Sequence, residues 1–105
     1  MKATKKKSAT MKFLDKLIGE PMTIGRMLAS IRADEGLSLA ALAKKLGVSR
    51  QHLHAVEAGR TAVSVERAAR WAKSLGYPEL LFIELTLQGE VEAAGFSVRV
   101  KIEAA

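Results

Sequence analysis

The chain is expected to fold as an all-α protein of five helices that ends in one short β-strand. Three observations predict this. Apolar residues recur at three- and four-residue spacing in successive blocks, and Gly36, Gly47, Gly59 and Gly76 punctuate them. Two of the blocks, within Leu37 to Arg60, flank a turn of only Gly47-Val48-Ser49. At the C-terminal end, Phe96, Val98, Val100 and Ile102 alternate with Ser97, Arg99, Lys101 and Glu103, the period of a half-buried strand.

Each element has its own signals. Residues 1–10, MKATKKKSAT, are polar and basic without periodicity and read as a flexible arm. Phe13, Leu14, Leu17 and Ile18 can form a short amphipathic helix, too short to stand alone. Pro21 marks a break. The first helix of the folded domain is expected from Thr23 or Ile24 to Glu35, with Ile24, Met27, Leu28 and Ile31 on one face. The second runs from Ser38 to Leu46 and the third from Arg50 to Ala58, with Ser38 and Ser49 as caps. Small Ala43 faces the turn, and Gly47 supplies the positive φ that ends the second helix. Two helices joined so tightly must cross steeply, as in a helix-turn-helix.

Ser64 caps a fourth helix that stops at Gly76. Val65, Ala68, Ala69, Ala72 and Leu75 are expected inside, with Trp71 at the edge of that face. Pro78 suits the start of a fifth helix. Leu80, Ile83, Leu87, Val91 and Ala94 form its apolar stripe, and Glu84, Gln88 and Glu92 its polar side. Leu81, Ile83, Leu85 and Leu87 also alternate as in a strand, but length favours a helix. The organisation is therefore residues 1–20 as an arm with a possible short helix, 21–77 as the binding domain, and 78–105 as a helix plus strand. A lone strand needs a partner, so the same strand of a second copy is expected to pair with Phe96, Val98, Val100 and Ile102 across a homodimer.

Composition narrows the function. The 105 residues suit one small domain, and 49% hydrophobic content allows a packed core. There is no cysteine, hence no disulfide or thiolate metal site, which is compatible with a reducing cytoplasm. No apolar run approaches the roughly 20 residues of a membrane span. The lysine-rich start lacks the apolar stretch of a secretory signal. The net charge is +6 and unevenly spread. Residues 1–16 carry +5, residues 21–77 carry +5, and residues 78–105 carry −3. The positive potential lies where phosphate would be met, and the acidic end suits a protein partner.

The stretch LSLAALAKKLGVSRQHLHAVEAGR resembles the phage repressor and Cro-like (XRE-type) helix-turn-helix family. Leu42-Ala43, Leu46-Gly47-Val48-Ser49, Leu53, Val56-Glu57 and Gly59 carry the resemblance, and Ser64, Ala72 and Leu75-Gly76 extend it. It covers roughly residues 23–76 and implies a lambda-repressor-like five-helix domain that binds double-stranded DNA. It also implies that Ala55 faces base edges, that Arg60 and Thr61 contact phosphate, and that Arg32 and Glu57 form a structural ion pair. Leu39 departs from the family, which commonly has a phosphate-binding glutamine there. That shifts the load to Ser38, Lys44 and Arg60.

From the residues themselves, Arg50 and Gln51 open the third helix, the end that enters the major groove, and His54 follows on the same face. Arginine can grip guanine, and glutamine can pair with adenine. Ala55 could touch only a thymine methyl. Ser38 and Ser49, at helix starts, are expected near phosphate. The duller readings are that Arg50 binds only phosphate, that His54 is merely solvated, and that Lys44 and Lys45 are ordinary surface lysines.

Enzymes are not expected. His52 and His54 are two residues apart and diverge on a helix, and the serines sit where caps belong. No cofactor is expected. The leading expectation is a cytoplasmic, sequence-specific DNA-binding regulator, a repressor that grips a palindromic operator as a homodimer. The rival is an antitoxin that binds DNA and also a toxin through residues 78–105. A third option is a coactivator that does not read sequence.

Overall fold

Serine or threonine opens four of the five helices among the described residues. The computed structural model describes residues 21–105, so the expected arm and short helix lie outside the described residues. The elements are α1 (Ile24–Glu35), α2 (Leu39–Leu46), α3 (Arg50–Glu57), α4 (Val65–Leu75) and α5 (Glu79–Ala93). The side chains of Thr23, Ser38, Ser49 and Ser64 accept hydrogen bonds from the amides of Arg26, Ala41, His52 and Arg67. Each cap satisfies an orphan donor and stabilises by about 1 kcal/mol. Between α2 and α3 the chain reverses at Gly47, whose φ is 74°. The Val48 amide then donates to the Ala43 carbonyl at 3.0 Å, closing the turn.

The core is mostly aliphatic, with Phe82 and Trp71 as its aromatic members. Leu28, Leu42, Leu53, Val56 and Phe82 are its largest fully buried side chains, and Ala43 lies buried where α2 meets the turn. The α3 helix rests on α1 and α2, while α5 packs along α4 and against α1. The first helix therefore touches both the turn motif and the C-terminal helix.

The inward faces of α4 and α5 differ from the sequence expectation. Trp71 is not at an edge but buried with Ala68 and Ala72, whereas Val65 stands exposed. On α5 the buried residues are Phe82, Leu85, Thr86 and Gln88, and Leu80 from the expected stripe is exposed. Apolar and polar residues are both spread round this helix, so its own pattern does not choose a face. Contact with α4, α1 and the C-terminal segment chooses it instead.

The expected C-terminal strand is a correction. No strand occurs among the described residues, and Phe96, Val98, Val100 and Ile102 lie in a segment without regular structure. The reason lies on α5. The Gln88 carboxamide donates to the Val98 carbonyl at 2.9 Å and accepts from the Val100 amide at 2.7 Å. Glu84 accepts from the Ile102 amide at 3.0 Å. A side-chain amide thus does what a neighbouring strand's peptide group would do. The backbone groups facing α5 are satisfied within the chain, which explains why Gln88 is buried. Phe96 and Val98 remain exposed.

Candidate nucleic-acid interface

The α3 helix divides cleanly into two faces. Leu53 and Val56 are buried on one side. Residues 50, 51, 54 and 55 fall on the opposite side of a 3.6-residue period. There Arg50, Gln51 and His54 are exposed and Ala55 is half-buried. A guanidinium, a carboxamide and an imidazole therefore point away from the core on one ridge, the first two in the first helical turn. Such a set offers donors and acceptors to base edges.

Two contacts seat that ridge on α1. Arg32 donates from Nε to Glu57 Oε2 and from Nη2 to Glu57 Oε1, both at 3.0 Å, a bidentate pair. Its Nη1 also donates to the Leu37 carbonyl at 3.4 Å. The Glu57 side chain is 9% exposed and that of Arg32 29%. Hydrogen bonding to Glu57 pushes the Arg32 pKa above its ordinary value, while burial pulls the other way. Glu57 is thus turned to α1, where its charge is compensated. The second contact is Gly25. A side chain there would press on the Val56 carbonyl, with the Glu57 carbonyl at 3.1 Å, so only glycine lets α1 approach α3 this closely.

The flanks of α3 carry two histidine–arginine contacts. His52 Nε2 lies 3.3 Å from Arg67 Nη1 of α4. His54 Nδ1 lies 3.3 Å from Arg60 Nη2, in the loop after α3. Neither pair is legible in the sequence, because no helical period links residues 6 or 15 apart across a loop. Around the ridge, Ser38, Lys44, Ser49 and Arg60 are exposed and Thr61 is half-buried. Ser38 and Ser49 spend their hydroxyls as cap acceptors but still lie where free amides emerge from helix starts. Leu39, in place of the family's glutamine, packs against the core.

A short helix with one exposed polar face, joined to the helix before it by a three-residue turn and seated on a further helix, is the architecture of helix-turn-helix DNA-binding proteins. The chain belongs to the XRE-type helix-turn-helix family: the HTH_3 (helix-turn-helix) pattern matches residues 28–82. That is a family of DNA-binding regulatory proteins, not of enzymes. Among solved structures, the chain is similar to a candidate antidote protein of a plasmid maintenance system from Nostoc punctiforme. The two share 31% sequence identity with a TM-score of 0.63, over 70% of this chain and 81% of that one. Comparison with curated proteins yields no match. Among the described residues no helix is long and apolar enough to cross a membrane.

Proposed function

We propose that the protein is a sequence-specific regulator of transcription, a repressor that binds a palindromic operator in double-stranded DNA as a homodimer. The observation that carries this is the exposed ridge of Arg50, Gln51 and His54 on a helix held from behind by the Arg32–Glu57 pair. Arg50 and Gln51 contact bases, with His54 and Ala55 further along the groove. Ser38, Lys44, Ser49, Arg60 and Thr61 contact phosphate, which fixes register. Residues 21–77 form the DNA-reading unit and residues 78–105 the part that meets other protein. Such a protein works in the cytoplasm, on the nucleoid.

Selection of bound duplexes from a random pool tests the proposal. The expected result is an enriched motif with dyad symmetry, its half-sites about 34 Å apart, one turn of duplex. A pool without enrichment at physiological salt would overturn sequence reading and leave the non-specific coactivator. An enriched motif without symmetry would overturn the homodimer.

A second reading is an antitoxin that binds DNA and also a toxin. Likeness to the Nostoc punctiforme protein favours it. So does the C-terminal segment held on α5 by Gln88, whose Phe96 and Val98 side chains are exposed. Neutralisation of a co-expressed neighbouring toxin, lost when residues 96–105 are removed, would support it. Full repression by the protein alone would favour the first reading.

A further inference from the structure

Given α3 as the reading helix, we infer that Arg60 fixes the proton position on His54 and so makes His54 a donor that reads acceptor groups on DNA. A guanidinium has five N–H donors and no acceptor. The imidazole nitrogen that faces it must therefore be the bare one. For His54 that is Nδ1, 3.3 Å from Arg60 Nη2. The proton then sits on Nε2. On this exposed ridge an Nε2–H can bond guanine N7 or O6, thymine O4 or a phosphate oxygen, but not the amino group of cytosine.

His52 shows the complementary arrangement. Its Nε2 faces Arg67 Nη1 at 3.3 Å, so its proton sits on Nδ1. The two imidazoles of one helix thus hold opposite tautomers, each set by an arginine from a later segment. His52 is half-buried and turned towards α4, so only His54 is available to a base.

Arg60 has donors to spare. Its backbone N–H is anchored by a hydrogen bond donated to the Ala55 carbonyl at 2.9 Å. With one Nη engaged by His54, the remaining N–H groups are positioned for a phosphate. One side chain then links a phosphate contact, which sets register, to the ring that reads a base. Arg60 is a positioning residue for His54 in this scheme as well as a phosphate ligand.

The test has two arms. Nitrogen-15 imidazole spectra of the DNA-free full chain should show His54 protonated at Nε2 and His52 at Nδ1. Duplex selection with Arg60→Met and His54→Ala then separates the two roles. Arg60→Met should relax the base preference at one position per half-site by roughly three- to tenfold, the worth of one hydrogen bond. His54→Ala should lose the same preference without changing the salt slope, which Arg60→Met lowers by about 1. A spectrum with His54 protonated at Nδ1, or an Arg60→Met protein with unaltered preference at every position, would overturn the inference. A chain that selects no sequence although both tautomers are as expected would instead overturn α3 as the reading helix, and the reading role of His54 with it.

Discussion

Gly25→Ala should destabilise the protein by about 2 kcal/mol, although alanine is the better helix former. The intrinsic preference for alanine is worth roughly 1 kcal/mol in a helix interior. Against it stands a contact with rigid groups. The new methyl would meet the carbonyls of Val56 and Glu57 and the Glu57 Cα at 3.2 Å, all of them α3 backbone. Backbone atoms cannot swing away as a flexible side-chain end can, so α1 and α3 must separate. Overpacking of this kind costs roughly 1–3 kcal/mol, and at this position the upper part of that range outweighs the propensity gain. Gly89→Ala is the matched control. It also lies inside a helix, but its methyl would meet only the Thr23 Cβ at 3.8 Å, an ordinary contact. That substitution should stabilise by up to about 1 kcal/mol. Urea unfolding of the two variants should therefore give opposite signs. Equal stabilisation by both would mean that α1 and α3 are not in close contact.

Glu57→Ala should cost about 2–3 kcal/mol in the same measurement. Removing the carboxylate strips Arg32 of both hydrogen bonds of the bidentate pair and leaves its charge against the core edge. Loss of one partner from a fully buried pair costs roughly 3–5 kcal/mol, and loss from an exposed pair about 0–1. This pair lies between those limits. Glu57 is almost enclosed, but Arg32 keeps some access to water and its bond to the Leu37 carbonyl. Solvent can thus soften the loss without cancelling it. Glu57→Gln keeps the shape and one acceptor, so it should cost less. A change below about 0.5 kcal/mol for Glu57→Ala would mean that the pair does not hold α3 in place.

The helices were legible because their ends carry local chemistry. A serine or threonine before an apolar block and a glycine after it mark α1 to α4, Pro78 and Gly95 mark α5, and none of these depends on the rest of the molecule. The face of α3 was legible for a similar reason, since spacing alone puts Arg50, Gln51 and His54 together and apart from Leu53 and Val56. The C-terminal segment failed because alternation reports an extended backbone but not what pairs with it. The partner is the Gln88 carboxamide, and a glutamine on a helix gives no local sign that it will imitate a peptide group. The inward face of α5 is not legible because its apolar residues are spread round the helix and polar Thr86 and Gln88 are among those it buries. On α4, Val65 and Trp71 flank the Ala68–Ala72 line on opposite sides, and spacing alone does not say that the buried face turns to the Trp71 side. Gly25 did offer a signal, a glycine inside an apolar helical stretch, which costs stability unless something approaches closely. The histidine–arginine pairs offered none, because they join residues that only the tertiary fold brings together.

Affinity for the selected operator relative to random duplex, measured at fixed salt for the wild type and for Arg50→Ala, probes the reading ridge itself. If Arg50 grips a guanine, the wild type should prefer its operator by at least a thousandfold, and Arg50→Ala should lose about 1–3 kcal/mol of that preference, roughly 5- to 150-fold, at a single base position. An Arg50→Ala protein that binds both duplexes more weakly by the same factor would place Arg50 on phosphate alone and contradict the assignment of α3 as a helix that reads sequence through its first turn.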